Sequence, residues 1–252
     1  MKLIAALLPL LLSLNAFAGD PNLAMPSQNE TQGQGACEGE CYEQNTKESR
    51  NQLFQMRDLR GKINDNVVPA TIAKIAKATK YPNGKVSPTC EGFASEKGWG
   101  PWGEFLNKEL DPNEYPMMFK GTSDLADERI CPNWDSLSTE SKRGIWILVI
   151  LSASQMESTC NPKAINRDAT NGTAYGLTQL HLDEEDNSIG RCERGSARTA
   201  NKSTKCMARN IEATMTASRA LITKDNQHFA VFFPNAKGRA IFNAIKKYPG
   251  CH

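Results

Sequence analysis

Hydrophobic positions along this chain fall into a few well-separated groups. The densest is Ile145-Trp146-Ile147-Leu148-Val149-Ile150-Leu151, apolar on every side. It lies inside a longer stretch, Ser138 to Met156, in which Ala153 and Met156 continue the apolar character. A helix with no polar face is a buried helix. Seven such residues alone would also suit a buried strand, but a stretch of about 19 residues predicts a helix. Ser138 or Thr139 can cap its start, and Glu140 suits the positive end of its dipole. Downstream, Met207, Ile211, Met215 and Ile222 recur at near-helical spacing and predict a helix over 206–224. Ala240, Ile241, Ala244, Ile245 and Tyr248 predict a third. Upstream, Leu53, Phe54, Met56, Leu59 and Ile63 sit among charges and predict helix over 48–63. Pro69 suits a first helical position before Ile72, Ile75 and Ala76. Residues 80–103 show little periodicity and read as irregular structure stapled by Cys90. The loop 183–205 is charged and rich in Ser and Thr, with Cys192 and Cys206 placed to clip it. A small β-hairpin is expected near 172–182. The fold class is therefore mainly α.

The amino terminus changes the picture. Lys2 is a short positive region, Ile4 to Leu14 is apolar, and Ala16-Phe17-Ala18 fits a small-x-small cleavage site. Residues 1–18 read as a cleaved secretory signal, too short in its apolar part to span a bilayer. No later stretch approaches a membrane span. Residues 19–47 are rich in Gly, Gln, Asn and Glu and read as a flexible leader or linker, tethered through Cys37 and Cys41. The chain contains 8 cysteines. An even number in an exported protein argues for disulfides, and the spacings, with three histidines, match no standard zinc pattern. Connectivity is not deducible from spacing. Cys192–Cys206 is the preferred pair. Cys131–Cys160 is attractive but awkward, because the intervening helix would be about 28 Å long. The net charge of +2 gives no basic face of the kind that binds nucleic acid. Neither metal nor cofactor is implied.

One carboxylate closes the apolar run. Glu157 follows Met156, Ser158 comes next, and Asn161-Pro162 ends the segment. A carboxyl at the end of a hydrophobic helix is partly desolvated, which disfavours its charged form and raises its pKa. An acid that keeps its proton near neutral pH can donate it to a glycosidic oxygen. The plainer alternative is a solvated glutamate at a helix end, or one capping a neighbouring segment.

The order Glu157-Ser158, Asn161-Pro162, then Ala174-Tyr175-Gly176-Leu177-Thr178-Gln179-Leu180 resembles the pattern of the lysozyme-like lytic transglycosylases and goose-type lysozymes. The resemblance covers about residues 131–222, taking in Cys131-Pro132, Trp134, and the Cys192 and Cys206 pair before a helix. It implies a disulfide-stabilised lysozyme-like fold, expected over 131–252; the apolar spacing upstream reads as a helical extension over 48–130. It implies Glu157 as the catalytic acid and then the base. Ser158 would orient the carboxyl or a sugar. Tyr175 would stack on a sugar face, with core packing as the alternative. Gln179 would bond sugar hydroxyl or acetamido groups, with a turn hydrogen bond as the alternative. Asp168 falls where hydrolysing relatives place a second carboxylate, which a hydrolase needs and a transglycosylase does not. It reads equally as an Asx turn. The segment Val231-Phe232-Phe233-Pro234-Asn235-Ala236-Lys237-Gly238 only faintly resembles the family's later A-Y-N-A-G motif.

The acids of His181-Leu182-Asp183-Glu184-Glu185-Asp186 follow the motif directly. Beside a cleft they would favour amino sugars that have lost their acetyl group, though a solvated loop reads as well. The expectation is an exported, periplasmic or extracellular, monomeric enzyme that cleaves β-1,4 bonds of peptidoglycan. The alternatives are a non-catalytic wall-binding or scaffolding protein on the same fold, and an enzyme acting on chitin or chitosan.

Overall fold

A computed structural model of the protein describes residues 67–169, 172–181, 192–193, 195–224 and 229–252. Among them the chain is mainly helical. The helices are α1 over 67–78, α2 Pro101–Glu109, α3 Pro116–Lys120, α4 Thr139–Ser158, α5 Ala200–Ser218 and α6 Ala236–Ile245. Two small antiparallel sheets accompany them. β1 (Ala94–Ser95) pairs with β2 (Gly98–Trp99), and β3 (Ile165–Asn166), β4 (Ala174–Tyr175) and β5 (Leu180–His181) form a three-stranded sheet in that order. The expected hairpin near 172–182 is thus β4–β5, with β3 added at its edge. No helix among the described residues is long and apolar enough to cross a membrane.

The run that is apolar on all sides becomes the central helix. Every residue of α4 from Gly144 to Met156 is buried, and α2, α3, α5 and α6 all pack against it. Each large aliphatic side chain so buried contributes about 1.5–3 kcal/mol. Ser138 caps the helix, its hydroxyl accepting from the Ser141 N–H. Two tryptophans lock the surround. The Trp146 indole N–H donates to the Met118 carbonyl (2.8 Å), the Trp134 indole to that of Lys120 (3.1 Å), and the two rings meet edge to face at 5.9 Å. The core does not stop at the 130/131 division: Ile72, Phe93, Leu106, Met118 and Leu125 belong to one buried cluster with Ile147, Met207 and Ile241.

Two helix boundaries differ from the apolar period. α5 begins at Ala200, not 206, because polar Ser203 and Thr204 fold their hydroxyls back onto the carbonyls of Ala200 and Asn201 (both 2.9 Å). It ends at Ser218, where Arg219 turns left-handed at φ 58°. Ile222 lies beyond it, its N–H held with that of Leu221 by the Asp124 carboxylate. α6 starts at Ala236 because Asn235 caps it, accepting from the Lys237 and Gly238 N–H groups. Tyr248 lies past its end, though buried. The predicted helix over 48–63, the leader over 19–47 with Cys37 and Cys41, and Asp183 to Asp186 lie outside the described residues.

Among the described residues there are three disulfides: Cys90–Cys160, Cys131–Cys251 and Cys192–Cys206. The last is the preferred pair of the sequence. The Cys131–Cys160 alternative is replaced by two others for a geometric reason. Cys131 precedes α4 and Cys160 follows it, and a helix of 20 residues holds its ends about 30 Å apart. Each cysteine instead finds a partner at its own end of the helix. Disulfides persist in oxidising compartments, so three of them agree with export.

Candidate functional site

The end of α4 is unusual in its chemistry. Glu157 lies in the last turn, directly after buried Met156, and is itself half-buried. Burial pushes the Glu157 carboxyl above the ordinary carboxylate range, and the ammonium of Lys237 pulls it partly back. The negative end of the helix dipole acts in the same direction as burial. Among the described residues, no hydrogen bond or ion pair reaches this carboxyl.

The helix stops beside it without a glycine. Thr159 and Cys160 both adopt left-handed backbone, φ 54° and 55°. For non-glycine residues, one of them β-branched, this costs on the order of 1 kcal/mol or more each. The surroundings impose it. The Thr159 N–H donates to the Gln155 carbonyl (3.0 Å) and the Cys160 N–H to that of Ser154 (3.1 Å). The Thr89 hydroxyl donates to the Thr159 carbonyl (2.8 Å), and the Cys90–Cys160 disulfide fixes the second residue. One turn back, fully buried Gln155 binds the 83–87 loop. Its Oε1 accepts from the Ser87 N–H (2.9 Å), its Nε2 donates to the Lys85 carbonyl (3.1 Å), and the Asn83 amide donates to its backbone carbonyl (2.7 Å).

Ser158 joins this helix end to the β4–β5 turn. Its hydroxyl lies 2.7 Å from the Leu177 carbonyl and 3.2 Å from that of Ser154, and accepts from the Asn161 N–H at 3.1 Å. In this structure the partners of the Ser158 hydroxyl are backbone groups, which tie the helix end to the turn. Gln179 also takes a left-handed backbone, φ 54°, and its side-chain amide donates to the Gly176 carbonyl (3.0 Å), the turn hydrogen bond weighed against a sugar contact. Gly176 has φ +72°, and a Cβ there would lie 2.0 Å from the Ala197 carbonyl oxygen. That position requires glycine on both counts.

Asp168 is exposed on the β3–β4 connection. The Asx turn there is built by Asn166, whose side-chain oxygen accepts from the Asp168 N–H (3.1 Å). Tyr175 is half-buried on β4, opposite Ile165 of β3 and Leu180 of β5. It lines a groove of about 350 Å³ with Pro162, Lys163, Ile165, Gly176 and Arg198. No group of three or more potential metal-ligating side chains occurs among the described residues. Sequence reasoning missed Lys237. Its only signal was position within the faintly matching 231–238 segment, which gives no hint that α6 carries it to the end of α4.

No known family profile matches the chain, and no curated protein matches it. Among solved structures, two forms of a protein named DslA (Bd0314) superpose on it. A glutamate-to-glutamine mutant gives a TM-score of 0.49 at 16% identity, over 60% of this chain and 91% of that one. The wild type, in its second form, gives 0.49 at 14% identity over the same shares.

Proposed function

We propose that this protein is an exported glycoside-cleaving enzyme of lysozyme-like fold, acting on the β-1,4 amino-sugar backbone of peptidoglycan. Glu157 protonates the leaving glycosidic oxygen and then, as carboxylate, takes a proton from the attacking hydroxyl. The observation that carries this reading is the carboxyl itself, desolvated at the end of a buried helix and without a hydrogen bond among the described residues. A general acid must hold its proton until substrate arrives, and a carboxyl already bonded by donors would lose it. Three left-handed non-glycine residues, Thr159, Cys160 and Gln179, lie on the two segments that Ser158 ties together. Local strain of this kind persists where surrounding structure over-determines a site. Glu157, Thr159 and Cys160 share one helix end, and the Glu157-Ser158, Asn161-Pro162 and Gly176-Leu177-Thr178-Gln179 order resembles the glycosidases named above.

The test is turnover of purified cell walls in a gel assay, with Glu157→Gln alongside. Loss of a general acid should reduce turnover by roughly 10²–10⁴-fold. Mass analysis of the fragments then separates water from the sugar's own hydroxyl as nucleophile: a reducing end in the first case, a 1,6-anhydro end in the second. Wall binding with no cleavage by the wild-type protein would leave only the scaffolding reading.

A further inference from the structure

Another cavity, of about 140 Å³, lies between α1 and the segment over 86–91. It is apolar and built largely from small side chains: Ala73 and Ala76 of α1, Ala94 of β1, Val86 and Pro88, with Leu151 of the central helix. The alanines and Leu151 are buried, so the space reaches core side chains. A void of this size is unusual in a close-packed interior. Two charged residues, Lys77 and Glu91, line it as well, and both are exposed. The Lys77 ammonium is already paired with Glu96 at 2.9 Å. The Glu91 carboxylate has no hydrogen bond or ion pair among the described residues. The charge left over at this edge is therefore negative.

One wall of the cavity also holds the end of α4. Ser87 and Cys90 line it. The Ser87 N–H donates to Gln155 Oε1, and Cys90 is bonded to Cys160, one of the left-handed residues after Glu157. Between them, the Thr89 hydroxyl donates to the Thr159 carbonyl. A group that enters the cavity therefore touches the segment that sets the backbone of Thr159 and Cys160.

The volume decides what can enter. It is below the roughly 300–1,000 Å³ of sites for whole small ligands, and close to that of a cavity that takes one benzene ring. A single ring set in an apolar pocket is the anchor of many protein interfaces, where buried aromatic side chains carry much of the binding energy. We propose that this cavity is the anchor pocket of a docking surface, that its partner is a polypeptide presenting one aromatic side chain beside a basic residue, and that docking is felt at the end of α4. The ring fills the space between the alanines, and the basic residue meets Glu91. Docking needs no glycosidase activity, so it is testable whether or not Glu157 is a catalytic acid.

Three blocked dipeptides serve as probes in amide NMR titrations of the full-length protein: acetyl-lysyl-phenylalanine amide, acetyl-lysyl-alanine amide and acetyl-glutamyl-phenylalanine amide. The first should bind best. Loss of the ring should cost at least roughly tenfold in affinity, and reversal of the charge roughly threefold. Glu91→Gln should abolish the charge preference and keep the preference for the ring. Ala76→Leu, which fills the cavity, should abolish the preference for the ring, its fold checked by the same spectra. The amide signals of Thr159 and Cys160 should move together with those of Ser87 and Cys90. Equal binding of the phenylalanine and alanine peptides, or an unchanged charge preference in Glu91→Gln, overturns the proposal. So does benzylamine binding as tightly as the first peptide, which would make the cavity a small-ligand site. Thr159 and Cys160 signals that stay fixed while the cavity signals move overturn its link to the helix end.

Discussion

Glu157 carries the proton argument, and its sign can be followed through both stability and rate. Burial raises its pKa in the folded protein above the ordinary value of 4.5. The folded state therefore holds this proton more tightly than the unfolded chain does. As pH climbs through about 4.5 the unfolded chain releases its proton first, and the folded state loses stability relative to it until its own, higher pKa has been passed. Glu157→Gln, which removes the ionisation, should thus raise the melting temperature at pH 7 and confer little gain below pH 4. Thermal melts across that range check this, and a difference independent of pH would contradict it. Under the proposed function the rate has the same origin: with Glu157 as general acid, activity should fall as pH rises through the folded pKa. Lys237 opposes burial, so Lys237→Met should move that alkaline limb to higher pH while leaving the fold intact. A limb that stays put would mean the ammonium does not act on the acid. Glu157 was legible from sequence because an apolar run visibly ends on it. Lys237 was not, because 80 residues separate the two and only the packing of α6 on α4 brings that charge near. The backbone partners of Ser158 were not legible, since a hydroxyl's choice between backbone and carboxyl is decided by distance, and spacing does not encode distance.

Elements built on apolar period were read well, and elements built on local polar bonds were not. α4 was predicted nearly to its ends because burial on all sides leaves a continuous signature. The first turns of α5 carry no apolar period at all; hydroxyls bonded to carbonyls three residues back make them helical. The β4–β5 turn shows the same division. Its apolar members, Leu177 and Leu180, are buried, while its geometry rests on Gly176 and left-handed Gln179. Gly176→Ala meets two penalties, a left-handed backbone and a Cβ only 2.0 Å from the Ala197 carbonyl oxygen. Chemical denaturation should show a loss of at least about 2 kcal/mol. Turnover by the folded fraction should also drop, since the turn that Ser158 anchors would shift. Full retention of stability would show that the 197 segment yields freely, and that the turn is not clamped as described.

At the scale of the whole molecule, the described structure is one core closed by covalent links at both ends of α4. Cys131–Cys251 closes the amino-terminal end of that helix against the last residues of the chain, and Cys90–Cys160 closes its carboxy-terminal end against the 88–92 turn. That arrangement was illegible from cysteine spacing, because the partners lie 120 and 70 residues apart. Loop-closure entropy assigns the 70-residue link about 4 kcal/mol and the 14-residue Cys192–Cys206 link about 3 kcal/mol. The two should differ more in function than in stability. Cys160 is one of the left-handed residues beside Glu157, and nothing else covalent holds it there. Replacing Cys90 and Cys160 together by serine should therefore lower stability by about 4 kcal/mol, and should lower turnover per folded molecule as well, as the helix end relaxes toward ordinary backbone. Replacing Cys131 and Cys251 removes a longer link from the far end of α4, so it should lower stability at least as much while turnover per folded molecule stays near that of the wild type. Measured at a temperature where both double variants remain folded, equal turnover by the two would mean that the covalent clamp serves the fold alone and that the geometry around Glu157 is held by Gln155, Thr89 and Ser158 without it.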